Sequence, residues 1–165
     1  MDAHQPFALK AFGAQLASIC QQSPNARLAQ EPQAAERVFL VLDGQGWHLY
    51  PWRTLASREP EAAFSQLLFP GQQVSMEPVA AYVSDRSIIF HVHENGFLNG
   101  LPILAIFARG AALSGPVAIT GETEWLTSAQ MRLVQNEVFF VDASIRLQVS
   151  TLWYHAWSTL RGRGW

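Results

Sequence analysis

At 165 residues the chain suits one domain with a single core, and 49% hydrophobic against 15% charged residues leaves a surface short of charge. Thirteen acidic and eleven basic residues, with Lys10 the only lysine, give a net charge of −2 and no clustered Lys/Arg footprint for nucleic acid or an anionic membrane. The lone Cys20 excludes an internal disulfide and makes a cysteine-based zinc site implausible. The first residues lack the features of a secretory leader and no run approaches the ~18–20 apolar residues of a membrane span, so the expectation is a cytoplasmic protein.

In chain order, Leu9, Phe12, Leu16 and Ile19 form one stripe at helical spacing, with Pro6 placed for a first turn and Ser23-Pro24-Asn25 as the stop. The stretch from Pro24 to Glu36 has no apolar rhythm and reads as a surface loop. Arg37 to Leu42 reads as a strand, turned by Asp43-Gly44-Gln45-Gly46 into a hairpin that puts Trp47 and Leu49 on one face and His48, Tyr50 and Trp52 on the other. Pro60 opens a short helix over Glu61 to Phe69, closed by Pro70-Gly71, and Val79 to Val83 reads as another strand.

The centre of the chain is Arg86 to Arg109. Ser87 to His93 and Ile103 to Ala108 are β-branched, aromatic and apolar on both faces, which predicts two mid-sheet strands around the turn signals Asn95-Gly96 and Asn99-Gly100. Gly110 to Gly115 reads as small and flexible. Val117, Ile119, Thr123 and Trp125 alternate with Ala118, Thr120, Glu122 and Glu124, the pattern of a strand with one wet face. Strands are expected at Asn136 to Val141 and at Ile145 to Thr151, the latter with Ile145, Leu147 and Val149 inward. Leu152 to Trp165 fits either period, with a loosely ordered tail from about residue 161.

The predicted fold is α+β, one domain over 1–165. A curved antiparallel sheet of about six to seven strands carries the N-terminal helix and the 61–69 helix on one face. This element order resembles the cone-shaped sheets of nuclear-transport-factor-like and cystatin-like proteins, a resemblance of architecture alone.

His91 and His93 share a strand face at i and i+2, where two imidazoles can ligate one metal if His48, His155 or Glu122 supplies a third ligand. The cupin His-x-His strand is not matched, because Glu94 follows His93 immediately and no second Gly-and-His motif exists. The structural reading, in which the two histidines are partly exposed or hydrogen-bonded on the less apolar face of a strand, is preferred over metal binding and over acid–base chemistry without metal, and no cofactor is expected. Glu122 and Glu124 would sit ~7 Å apart on one strand face, which suits solvation better than glycosidic chemistry. Nucleophile-elbow, phosphate-loop and dinucleotide motifs are absent, which disfavours an enzyme.

Six tryptophans, at 47, 52, 125, 153, 157 and 165, exceed ordinary usage. Two function classes follow. The first is a non-catalytic interaction or regulatory protein that binds a protein partner or a second copy of itself through a neutral aromatic surface, with Trp52, Trp157 and Trp165 as interface anchors. The second is a small-molecule or enzymatic pocket lined by Trp47, Tyr82, Trp125 and Trp153, with His91 and His93 as its polar groups.

Overall fold

The computed structural model describes residues 15–16, 18–21, 37–55, 59–96, 98–108, 111–122 and 124–161. The fold is α+β, with two antiparallel sheets in place of the single curved sheet expected. The larger sheet contains β1 (Val38–Asp43), β2 (Gly46–Pro51), β3 (Met76–Val79), β4 (Ile88–His93) and β7 (Val117–Gly121), in the order β2-β1-β7-β4-β3. The smaller contains β5 (Ile103–Phe107), β6 (Ala112–Ser114) and β8 (Val138–Phe140), in the order β6-β5-β8. A 3-10 turn (Trp52–Leu55), α1 (Pro60–Leu68), α2 (Ser128–Glu137) and α3 (Arg146–Arg161) complete the named elements.

Strand parity explains why the sheets stack. Along β1, Val38, Leu40 and Leu42 enter one apolar cluster while Phe39 and Val41 enter another. The first cluster joins them to Ile88, Phe90 and Val92 of β4, Val117 and Ile119 of β7, and Ala105, Phe107, Leu113, Val138 and Phe140 of the smaller sheet. These side chains meet face to face and fill the space between the sheets. Because β1, β5 and β7 are apolar at odd and even positions alike, each sheet has a second buried face. The outer face of the larger sheet is covered by α1 through Ala63 and Phe64. The outer face of the smaller one meets Leu16 and Cys20, which are helical, and Val149 of α3. The helical residues Leu16 and Cys20 and the helix α1 thus lie on opposite outer faces rather than on one, while α2 sends Met131 and Val134 into the inter-sheet cluster.

Several elements differ from their sequence pattern. The two central strands are both interior, as expected, but β4 belongs to the larger sheet and β5 to the smaller, so they do not pair. The segment before β4 forms its strand at Met76–Val79, earlier than predicted, and residues 82–84 are bends. Ala112–Ser114, expected to be flexible, is β6, held by pairing to β5. β7 has no wet face: all five of its residues are buried. The strand expected at Asn136 to Val141 is the end of α2 followed by β8, and that expected at Ile145 to Thr151 is the start of α3. The hairpin faces are as read, with Trp47 and Leu49 toward the inter-sheet core and Tyr50 and Trp52 toward α1. The predicted positions Leu9 and Phe12 lie outside the described residues.

Two details limit the sheets at their margins. The outer strands of the larger sheet, β2 and β3, each contain a proline, Pro51 and Pro78. Those of the smaller sheet, β6 and β8, are three residues long. α2 begins with a reciprocal cap: Thr127 Oγ1 accepts from Gln130 N–H at 3.1 Å, and Gln130 Oε1 accepts from Thr127 N–H at 2.9 Å. Gln130 Nε2 also donates to Ser87 Oγ, and Glu137 accepts from Ser84, tying both ends of α2 to the turn before β4. Thr127→Ala is expected to lose about 1 kcal/mol in urea unfolding. A change below about 0.3 kcal/mol would show that the cap is dispensable.

Candidate functional site

One row of directly opposed residues crosses the outer face of the larger sheet: His48, Val41, Ala118, His91 and Pro78. His93 lies two residues along β4 on the same face. α1 covers this region, bringing Phe64 to 4.4 Å from the His91 ring centroid, and Phe69, just after α1, meets His93 edge-on at 5.2 Å.

Each imidazole is held by its own partners. Thr120 Oγ1 donates to Gly121 O at 2.9 Å, so it accepts from His91 Nε2 at 2.8 Å, and the His91 proton sits on Nε2. Its Nδ1 is then a buried lone pair with no partner among the described residues. Burial pushes the His91 pKa down to about 4, so the ring is neutral at physiological pH. His93 Nδ1 accepts from Asn95 N–H at 2.9 Å, and its Nε2 is 3.2 Å from the Asn99 side-chain amide.

These contacts decide what the pair can do. Among the described residues, no carboxylate hydrogen-bonds to either ring and no group of three or more His, Cys, Asp or Glu could hold a metal ion. His48 lies three strand spacings from His91, roughly 14 Å, too far to share a metal with it. It instead pairs with Asp43 at 2.8 Å. Glu122 and Glu124 lie beyond the end of β7, both exposed, and form no strand-face pair.

The aromatic candidates separate. Trp47 packs against the inter-sheet core. Tyr82 lies in the same core, stacked on Phe107 at 4.5 Å and edge-on to Phe90 at 5.4 Å. Trp125 is on the outer side, 6.2 Å from Trp52, with the Arg37 guanidinium 4.3 Å from its ring centroid. Trp153 belongs to the cluster beneath the smaller sheet. Tyr82 and His93 line one cleft at the margin of the sheets, but His91, His93, Trp47, Tyr82, Trp125 and Trp153 are not gathered around a single cavity. Trp52 is partly buried, bridging Phe39 and Trp125. The Trp157 side chain and Trp165 lie outside the described residues.

Compared with models of known protein families, with curated proteins and with solved structures, the chain matches none. No helix among the described residues is long and apolar enough to cross a membrane.

The surface that differs most from expectation is α3. Its inner stripe is Val149, Leu152 and Trp153, packed beneath the smaller sheet. Its outer stripe contains Leu147, 82% exposed, Thr151 and Tyr154, 48% exposed. From Leu147 through Leu160 there is no charged residue. A strand over Ile145 to Thr151 places Leu147 inward, but the helical geometry of α3 turns it to solvent. Thr120, which fixes His91, was not identifiable as its partner, because pairing between strands distant in sequence leaves no spacing to read, whereas Asn95 and Asn99 follow His93 by two and six residues.

Proposed function

We propose that this chain is a non-catalytic interaction protein that binds a protein partner, in the first instance a second copy of itself, through a neutral surface centred on the outer face of α3. The observation that carries this reading is the fourteen-residue stretch without charge, Leu147 to Leu160, whose outer stripe leaves Leu147 and Tyr154 in solvent. A solvent-facing helix side ordinarily carries charged residues, whereas the centre of an interface is depleted of charge and enriched in tyrosine. The two histidines support it indirectly, since their hydrogen bonds give them a structural role.

The expected assembly is a homodimer burying at least ~1,000 Å² in total. Sedimentation velocity at micromolar concentration should show a dimer. The double substitution Leu147→Arg and Tyr154→Glu should yield a monomer with an unchanged far-ultraviolet circular dichroism spectrum. A monomeric wild-type protein throughout the micromolar range would refute self-association.

A further inference from the structure

The loop between β4 and β5 contains both Asn-Gly pairs of the chain, Asn95-Gly96 and Asn99-Gly100. An asparagine followed by glycine can close on itself: the next backbone nitrogen attacks the side-chain amide carbon, and glycine, without a Cβ, obstructs that approach least. The fold treats the two pairs differently. Gly96 is buried, its N–H donates to His93 O at 3.3 Å, and a Cβ on it would fall 2.7 Å from Ser114 O, so its backbone is pinned. Gly100 is exposed, with a φ of 70° and open space where a Cβ would be, and its N–H makes no hydrogen bond to any described residue. The amides on either side of it are tied, Asn99 N–H to Asn95 O at 3.0 Å and Leu101 N–H to Gly96 O at 3.1 Å.

His93 separates the two pairs further. The Asn95 N–H can only donate, so His93 Nδ1 is the acceptor and the neutral form of the ring keeps its proton on Nε2. The Asn99 side-chain amide lies 3.2 Å from that nitrogen. A ring N–H is satisfied only by the oxygen of an amide, so Asn99 turns Oδ1 toward it, the two ends of the amide being told apart by their partners. The imidazole is itself held, edge-on to Phe69 at 5.2 Å. It thus presents a positioned donor to the carbonyl whose carbon lies within reach of Gly100 N through the chain itself.

We propose that Asn99 is a site of spontaneous deamidation, with His93 Nε2–H stabilising the negative charge that develops on the Asn99 carbonyl oxygen as Gly100 N attacks. Gly100 N bonds to Asn99 Cγ and the Cγ–Nδ2 bond breaks, the proton from Gly100 N leaving with Nδ2 as ammonia. Water then opens the resulting succinimide at either of its carbonyls, giving aspartate or isoaspartate at this position. The new carboxylate adds negative charge to a chain already at −2, and the isoaspartate form lengthens the backbone by a methylene inside the turn that Asn95 O and Gly96 O hold. No group in this reaction belongs to α3, so the proposal stands or falls separately from the interaction surface.

The test is timed incubation of the full chain at neutral pH and physiological temperature. Peptide mapping by mass spectrometry reads the replacement of NH2 by OH at each asparagine, and methylation by a protein isoaspartyl methyltransferase counts the isoaspartate. In the folded chain Asn99 should convert at least about tenfold faster than Asn95, because reaction at Asn95 must first break the Gly96 hydrogen bond and move its buried backbone. In urea the two should convert at similar rates. His93→Ala should slow Asn99 roughly threefold to tenfold in the folded chain and leave its rate in urea unchanged, and His93→Gln, which keeps an N–H donor, should recover part of the loss. If the alanine variant does not fold, the glutamine variant and the selectivity of the wild type decide. An unreacted Asn99, an Asn95 that converts as fast in the folded chain, or a rate at Asn99 unchanged or raised in folded His93→Ala would each overturn the proposal. So would selectivity that persists in urea, which would trace the difference to the flanking residues.

Discussion

Phe107→Ala is expected to destabilise the chain by about 3–5 kcal/mol, the largest effect of any single substitution proposed for this protein. Phe107 is 0% exposed and lies in the inter-sheet core, stacked on Tyr82 with an interplanar angle of 2° and edge-on to Phe90 at 5.5 Å. Its truncation removes a ring from a layer where both sheets contribute neighbours, so neither can relax into the void without moving against the other. Urea unfolding followed by tryptophan fluorescence measures the loss. Leu147→Ala, on the exposed side of α3, should change stability by no more than about 0.5 kcal/mol and serves as the control. If Phe107→Ala loses less than about 1 kcal/mol, the stacking of the two sheets is wrong.

The second large effect depends on pH. In the folded chain His91 remains neutral down to about pH 4, whereas in the unfolded chain its imidazole takes a proton near pH 6.5. Between these values the unfolded state binds one more proton than the folded state. Stability therefore falls as pH falls, by about 1.4 kcal/mol per pH unit and about 3 kcal/mol over the window. Above pH 6.5 this contribution is fully present. His91→Gln retains a donor for Thr120 but cannot titrate, so the difference in unfolding free energy between pH 7 and pH 4 should shrink by about 3 kcal/mol in that variant. Equal slopes in the two proteins would mean that His91 is not the group responsible.

Much of the fold was readable where period and punctuation agree. The β1–β2 hairpin follows from two apolar runs around Asp43-Gly44-Gln45-Gly46, and Gly46 has the positive φ of 122° that favours glycine. α1 follows from Pro60, Phe64 and Pro70-Gly71. Reading failed where two periods coincide. Ile145, Leu147 and Val149 alternate like a strand, yet Val149, Leu152 and Trp153 fall at i, i+3 and i+4, the stripe that packs. α2 went unpredicted, although Thr127 and Gln130 have the spacing of its reciprocal cap. The split into two sheets could not be read at all, because a strand apolar on both faces looks the same under a helix or under another sheet. Of the site, the shared face of His91 and His93 was visible by parity, while Thr120 depends on register between strands distant in sequence.

The prolines at the margins of the larger sheet bear on how copies of this chain can meet. An unprotected margin would let each molecule template the next, and such growth has no natural end. Pro51 and Pro78 each remove a backbone donor from an outer strand, and the three-residue β6 and β8 offer little length to extend. Addition of strand to strand is therefore discouraged on every side of both sheets. Contact through a helix face, by contrast, is satisfied once two copies have met, so crowding of this protein should favour a finite, saturating complex over a filament.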